Sequence, residues 1–132
     1  MPWLDKTGVE HLWAKIKAYI NNVIPKDDYS ATSYTSFAGG VISSGTINVV
    51  KHLGWCQVFG EFKLSAAVSD WTEVLTAAQV PAPKHGINAY VPSTTWGTSF
   101  VRAPRIQING NGGLRVRYGA AATYNFSVAY PI

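Results

Sequence analysis

The fold is decided by the stretch Arg105-Ile106-Gln107-Ile108-Asn109-Gly110-Asn111-Gly112-Gly113-Leu114-Arg115-Val116-Arg117-Tyr118. Apolar and polar residues alternate on both sides of a segment made only of asparagine and glycine, and a period of two is typical of a strand with one buried face. Asparagine and glycine supply the positive φ angles that a tight β-turn needs. The stretch therefore predicts an antiparallel hairpin. The inward set is Ile106, Ile108, Leu114, Val116 and Tyr118, and the outward set is Gln107, Arg115 and Arg117.

Further short candidate strands lie on both sides of this hairpin, at 46–50, 55–64, 71–75, 87–91, 100–102 and 124–130. In 55–64 the residues Cys56, Val58, Phe62 and Leu64 share one face. In 124–130 the residues Tyr124, Phe126, Val128 and Tyr130 do the same. Trp55 and Trp71 belong to apolar strand patterns and are expected in the core. Several short strands with frequent turns predict a mostly β protein with an antiparallel, jelly-roll-like β-sandwich.

One helix is predicted before the strands, over residues 7–24. Thr7-Gly8-Val9-Glu10 fits a capping box, Asp5 is a competing cap, and Pro25 ends the helix. Its apolar positions follow the 3-4 spacing of a coiled coil. The seam consists of Val9, Leu12, Ile16, Tyr19 and Val23, and it is widened by Trp13 and Ile20.

Such a helix needs a partner, because at about 27 Å in length it is marginal alone in water. The partner is either the β domain of the same chain or other copies of the helix. A wide seam with tryptophan and tyrosine favours three strands, so we expect a homotrimer. The predicted organisation is a trimerisation helix at 1–25, a linker rich in Ser, Thr and Gly at 26–45 with one short strand at Val41-Ile42, and a β-sandwich head domain at 46–132.

Charge and composition limit the classes of partner that the chain is expected to bind. Of the 132 residues only 14% are charged, and the net charge of +4 falls wholly after residue 30, because the acidic and basic residues before it cancel. A weakly basic domain favours anionic partners such as cell-wall phosphates or acidic glycans. The charge density is low for a nucleic-acid binder. There is no apolar run of the roughly 18 residues that predict a membrane span. The N-terminus lacks a signal-peptide pattern, so we expect synthesis in a cytoplasm.

The sequence offers little for catalysis or metal binding. Glu61 and Glu73 are the one sensible carboxylate pair for glycoside hydrolysis, which makes a glycan-cleaving enzyme the least favoured reading. Cys56 is the single cysteine, and His11, His52 and His85 show no metal-ligand spacing. We therefore predict a non-enzymatic protein without catalytic residues, metal or cofactor.

Saccharide binding is the better hypothesis, because sugar rings stack on exposed aromatic side chains. Trp96 lies in the loop-like stretch 93–99, rich in hydroxyls, and Tyr90 lies just before it. Arg115 and Arg117 share a strand face that Arg102 and Arg105 extend, and arginine forks suit carboxylate or phosphate. These five are the candidate ligand residues: Tyr90, Trp96, Arg102, Arg115 and Arg117. A loop anchor at Trp96, and a solvated face or intersubunit contact at the arginines, remain open alternatives.

Two parts of the chain resemble bacteriophage proteins. The segment from Leu4 to Lys17 looks like one found in tail-fibre and minor structural proteins of phages and prophages of Gram-positive hosts. Trp71 to Leu75, the Ala-Pro stretch from Val80 to Pro83, the Asn-Gly hairpin and the ending Phe126 to Ile132 follow in an order that resembles the head domain of tail-fibre receptor-binding proteins.

The resemblance implies a homotrimer in the virion tail, made in the cytoplasm of a host bacterium, which contacts other tail proteins and recognises a host-surface saccharide. Tail fibres usually carry a long shaft before the head, and this chain is nearly all helix and head. The alternative is a purely structural virion or baseplate component without a ligand.

Overall fold

The computed structural model describes residues 5–23, 29–91, 93–96 and 104–132, and for Val23 and 93–96 it describes the backbone alone. The first element is the helix α1 (Lys6–Val23). It is followed by the strands β1 (Ser30–Tyr34), β2 (Ile42–His52), β3 (Trp55–Leu64), β4 (Thr72–Leu75), β5 (Ala89–Val91), β6 (Ser93–Trp96), β7 (Arg105–Ile108), β8 (Leu114–Arg117) and β9 (Thr123–Pro131). The predicted class, mostly β with one N-terminal helix, is confirmed.

The predicted helix is confirmed from one residue before its predicted start to Val23, the last residue described there, and Asp5 rather than the capping box caps it. The backbone N–H of Gly8 donates to Oδ1 of Asp5 at 2.7 Å, and the N–H of Val9 donates to the backbone oxygen of Asp5 at 3.0 Å. A carboxylate at this position accepts from otherwise unpaired amides of the first turn. The helix accordingly begins at Lys6, one residue earlier than the sequence predicts.

The strands form two antiparallel sheets that pack face to face. One has five strands in the order β1-β2-β3-β9-β6, and the other has four in the order β4-β8-β7-β5. Both inner faces contribute to one core. Phe62 and Tyr124 stack there with ring centroids 5.4 Å apart, and Phe126 meets Phe62 edge-on. The hydroxyl of Tyr130 donates to the backbone oxygen of Pro81 at 2.8 Å and so ties β9 to the segment that connects β4 with β5 of the second sheet.

The Asn-Gly hairpin forms as predicted, with Ile106, Ile108, Leu114 and Val116 fully buried between the sheets. Its turn does not project into solvent. The backbone N–H of Gly113 donates to the oxygen of Val80 at 2.8 Å, and a side chain at Gly112 (φ +93°) would meet that oxygen. Tyr118 departs from the prediction: its φ of 57° turns the chain out of β8, and the side chain is half-buried rather than part of the core.

Four other expectations are corrected. Residues 30–45 contain β1 and the start of β2, so nine residues of the predicted linker belong to the five-stranded sheet. Residues 93–96 form β6, paired with β9, rather than a loop. Trp55 is 55% exposed, because it alternates with the buried Cys56 at the start of β3. Trp71 is half-buried and precedes β4. The candidate strand 100–102 lies outside the described residues.

The sandwich has two distinct ends, which we name by β3. At the Trp55 end, Trp55 pairs with Pro131, and Ser30 pairs with Lys51, so the chain coming from α1 enters here. At the Leu64 end, Lys63 pairs with Thr123 at the start of β9. A strand of this length spans about 33 Å.

Candidate functional site

The outward side chains of the four-stranded sheet form two cross-strand rows, which we name the arginine face. One row runs across all four strands, and the register places its members opposite one another: Glu73, Arg115, Gln107 and Tyr90. In the next row Arg117 pairs with Arg105. Opposite residues of neighbouring strands bring their side chains within about 5.5 Å at Cβ. Three guanidinium groups therefore share one surface.

Arg115 is held on two sides. Its guanidinium carbon lies 4.5 Å from the centroid of the Trp71 ring, within the range of a cation–π contact. Its Nε donates to Oε1 of Gln107 at 2.6 Å. Gln107 is 1% exposed although it points away from the core, so this hydrogen bond lies in a poorly hydrated place. The remaining donors of the Arg115 fork are the ones available to a ligand.

Arg117 contacts two aromatic rings and carries an unused donor. Its guanidinium carbon lies 4.5 Å from the Tyr118 ring centroid and 5.8 Å from that of Trp71. Its Nε is 3.7 Å from Oδ1 of Asp70, which is an ion-pair distance but too long for a hydrogen bond. This Nε is buried, and within the described residues it has no hydrogen-bond partner. Asp70 also accepts the backbone N–H of Trp71 at 2.7 Å, which fixes the start of β4.

A small open cavity of about 150 Å³ lies beside Trp71 and Arg115. It is lined by Trp71, Glu73, Asn109, Gly112, Gly113, Leu114 and Arg115. Gly113 has a φ of +91° and no side chain, so backbone forms part of the wall. The lining combines an aromatic ring, guanidinium donors and the acceptor oxygens of a carboxylate and an amide. Such a set suits a ligand rich in hydroxyl groups.

The predicted ligand residues separate into three groups. Arg115 and Arg117 come together around Trp71, as the sequence placed them on one strand face. Tyr90 belongs to the arginine face, but it is 61% exposed and lies on the opposite edge strand from Glu73. The backbone of Trp96 pairs with Thr123 at the edge of the five-stranded sheet, and its side chain lies outside the described part. Arg102 lies outside the described residues altogether.

Trp71 and Asn109 are candidate ligand contacts that the sequence did not reveal, and Glu73, named there only as one of a carboxylate pair, joins them at the cavity. The signal for Trp71 is alternation: Thr72 and Val74 point inward, so Trp71 shares the outward side with Glu73. Its apolar character outweighed that signal. Asn109 was assigned to the hairpin turn alone, although a turn that packs against the rest of the chain can also line a cavity.

The carboxylate pair considered for glycoside hydrolysis is separated by the fold. Glu61 points outward from β3 in the five-stranded sheet, and Glu73 points outward from β4 in the other sheet. Packed sheets lie about 10 Å apart, so two outward groups on different sheets are farther apart than the 5–9.5 Å that glycosidases use. Across the ranges that the structure describes, no three His, Cys, Asp or Glu side chains converge on a point suited to a metal ion.

The apolar stripe of α1 is the second candidate site. Its described side chains are all at least 40% exposed: Val9, Leu12, Trp13, Ile16, Tyr19 and Ile20. The side chain of Val23 lies outside the described part. Lys17 lies 5.7 Å from the Trp13 ring centroid and covers one flank of the stripe. The β domain therefore leaves this stripe open to a partner.

Comparison of the chain with protein-family models and with curated proteins finds no match. Among the described residues, no helix combines the length and the apolar character that crossing a membrane requires.

Proposed function

We propose that this protein is a non-enzymatic tail-fibre or tail-tip protein of a bacteriophage or prophage. It assembles as a homotrimer through α1 and recognises a saccharide of the host cell surface or cell wall through the arginine face. It is made in the bacterial cytoplasm and carried in the virion tail beside other tail proteins. The phage assignment rests on the resemblance of the sequence, and the binding role rests on the arginine face.

The observation that carries the binding role is the Trp71–Arg115 pair beside the open cavity. A saccharide offers hydroxyl groups that accept from guanidinium donors and donate to carboxylate or amide oxygens. Arg115 is oriented in advance by Gln107 and Trp71. Ordering a long side chain before binding reduces the entropy that is lost on binding. Glu73 and Asn109 supply acceptors on the same cavity wall.

The binding role is tested by titrating the full chain with polysaccharide purified from the host cell wall, in a calorimeter. Arg115→Gln removes the charged donors, and we expect binding to weaken at least tenfold, since a hydrogen bond to a charged group contributes about 1.5–3 kcal/mol. Lys63→Gln is the matched control, because Lys63 is an exposed cation on the other sheet. Equal affinity of the Arg115→Gln variant and the wild type would reject the arginine face as the binding site. Absence of binding by the wild type to all such polymers would favour the structural virion component.

The trimer is tested by sedimentation equilibrium of the full chain. The wild type is expected at three times the mass of 14.3 kDa. Ile16→Asp is expected to sediment as a monomer, because each copy would bury a charge in the seam. Lys15→Asp places the same residue off the seam and is expected to remain trimeric. A monomeric wild type would contradict the trimer.

A further inference from the structure

The outer face of the five-stranded sheet differs from the arginine face, and it has no role in the function proposed above. We give the name neutral face to the part of this outer face that runs from the Trp55 end to the row that contains Phe59. Its outward positions are Tyr29, Ala31 and Ser33 beside and in β1; Asn48, Val50 and His52 in β2; Trp55, Gln57 and Phe59 in β3; and Ser127, Ala129 and Pro131 in β9. None of these described positions is acidic, lysine or arginine.

The neutral face exposes large apolar side chains at the Trp55 end. Trp55 is 55% exposed and Tyr29 is 62% exposed, and Val50 and Phe59 are half-buried behind them. The Tyr29 ring meets His52 edge-on at 6.0 Å, which places it on the same surface. A surface that combines exposed aromatic side chains with uncharged polar ones is typical of a protein contact.

We propose that the neutral face is the interface through which a second copy of this chain packs against the first within the trimer. This inference rests on the trimer of the proposed function. Repulsion between the β domains favours contact through an uncharged surface. The whole net charge of +4 belongs to the β domains, so identical domains repel wherever their arginines approach. The neutral face lets copies approach without bringing like charges together.

The connection between α1 and the first strand is short. Six Cα–Cα steps lead from Val23 to Tyr29, and they span at most about 22 Å. Helices packed in a bundle lie about 8–10 Å apart. Tyr29 of each copy therefore lies within about 28 Å of the bundle axis. Because Tyr29 belongs to the neutral face, α1 is attached at one end of this face.

The helix α1 is short for an element that holds three chains together by itself. Its 18 residues provide about two and a half heptads, near the lower limit of a stable isolated helix. Specific assemblies bury roughly 800 Å² on each partner. A second contact beside the helix supplies the remaining area, and the neutral face continues directly from the point where the helix is attached.

The experiment is hydroxyl-radical footprinting of the full chain, read by mass spectrometry, on the wild type and on the Ile16→Asp variant. We expect oxidation of Trp55 to be several-fold slower in the wild-type trimer than in the Ile16→Asp monomer. Tyr90, which is similarly exposed on the arginine face, is expected to oxidise equally in both. A trimeric wild type with equal Trp55 oxidation would overturn this inference and leave the trimer standing.

A second measurement guards against variants that fail to fold. The pair Trp55→Ser and Tyr90→Ser is compared with the wild type by sedimentation equilibrium, after circular dichroism has shown native spectra. The Trp55→Ser variant is expected to weaken self-association at least tenfold, and the Tyr90→Ser variant less than twofold. Equal association of the two variants overturns the inference. A monomeric wild type whose Trp55 is nevertheless protected also overturns it, because α1 of the same chain would then cover the face. A monomeric wild type with exposed Trp55 overturns both the trimer and this interface.

Discussion

The two sheets of the sandwich share one core and present opposite outer faces. The arginine face brings Arg105, Arg115 and Arg117 together with Glu73, whereas the neutral face carries Trp55 and other uncharged side chains. Both result from the same alternation of inward and outward positions. The inward residues therefore determine that the sandwich forms, and the outward residues are free to determine what each face contacts.

The contrast also suggests why the two faces are used differently. A charged face is stable in water and attracts anionic or hydroxyl-rich ligands. An uncharged face with Trp55 and Phe59 gains free energy when it is covered, at roughly 25 cal/mol for each Å² of apolar surface buried. Assembly through one face and recognition through the other can then proceed without competing for the same residues.

The largest expected effect distinguishes the inside of β3 from its outside. Phe62→Ala is expected to lower the free energy of unfolding by about 3–5 kcal/mol, because Phe62 is fully buried against Tyr124 and Phe126. Phe59→Ala removes the same ring from the neutral face and is expected to cost less than half as much. Urea unfolding of both variants in the Ile16→Asp background removes the contribution of assembly. Equal losses would contradict the assignment of inner and outer positions.

Alkaline pH should lower the free energy of unfolding, because two tyrosines are buried in the core between the two faces. Burial raises the pKa of Tyr130 well above its ordinary value of 10.0, with a further rise from the adjacent Cys56, and burial also raises the pKa of Tyr124. Both side chains therefore ionise at a higher pH in the folded protein than in the unfolded chain, where they ionise near pH 10. Their contribution to stability is thus fully present below pH 10 and declines as the pH rises above it, by up to about 1.4 kcal/mol per pH unit for each group.

The share of Tyr130 in this decline is measured by urea unfolding between pH 8 and pH 11. Tyr130→Phe cannot ionise, so the pH dependence of its unfolding free energy above pH 10 should be shallower than that of the wild type. Tyr90→Phe on the arginine face is the control and should follow the wild type. Parallel curves for Tyr130→Phe and the wild type would show that Tyr130 is not the group responsible.

Replacing Arg115 should lower the free energy of unfolding more than replacing Arg105, which lies on the same face. Arg115→Met leaves Oε1 of the buried Gln107 without its donor, and an unsatisfied buried polar group costs about 1–3 kcal/mol. Arg105 is exposed at the edge of its row, and a surface substitution such as Arg105→Met is expected to change the unfolding free energy by less than about 0.5 kcal/mol. Urea unfolding of the two variants measures the difference, and equal values would contradict a structural role of the Arg115–Gln107 pair.

The inward-facing positions of the strands were predictable from the sequence, because burial of one face imposes a strict alternation of apolar and polar residues. Cys56, Val58, Phe62 and Leu64 face the core as expected, and so do Ile106, Ile108, Leu114 and Val116 of the Asn-Gly hairpin. β1 was not predictable in this way. Four of its five residues are exposed, and it is held by backbone pairing with β2, so its sequence carries no apolar period.

The outer faces were predicted only in part. Arg115 and Arg117 share a strand and were found by alternation along the chain. Their contact with Trp71 depends on the neighbour relation of β4 and β8, which are distant in sequence. Hydrophobicity misassigned Trp55 and Trp71 to the core, since a large aromatic residue on an outer face has the same composition signal as a buried one. Which strands become neighbours is set by packing of the whole sandwich.

The smallest expected effect concerns the ion pair at the end of the arginine face. Asp70→Asn removes the negative charge 3.7 Å from Nε of Arg117 but retains a side-chain oxygen that accepts the N–H of Trp71. We expect a loss of at most about 1 kcal/mol at low salt, because the Asp70 side chain is 85% exposed and exposed ion pairs contribute little. Urea unfolding repeated in 1 M NaCl should reduce even this difference, since the Debye length falls to about 3 Å. Asp70→Ala removes the charge and the acceptor together, so a larger loss that persists at high salt would measure the hydrogen bond to Trp71. If Asp70→Asn instead destabilised the protein by several kcal/mol at both salt concentrations, the Asp70–Arg117 pair would be a main support of the arginine face rather than a surface contact at its end.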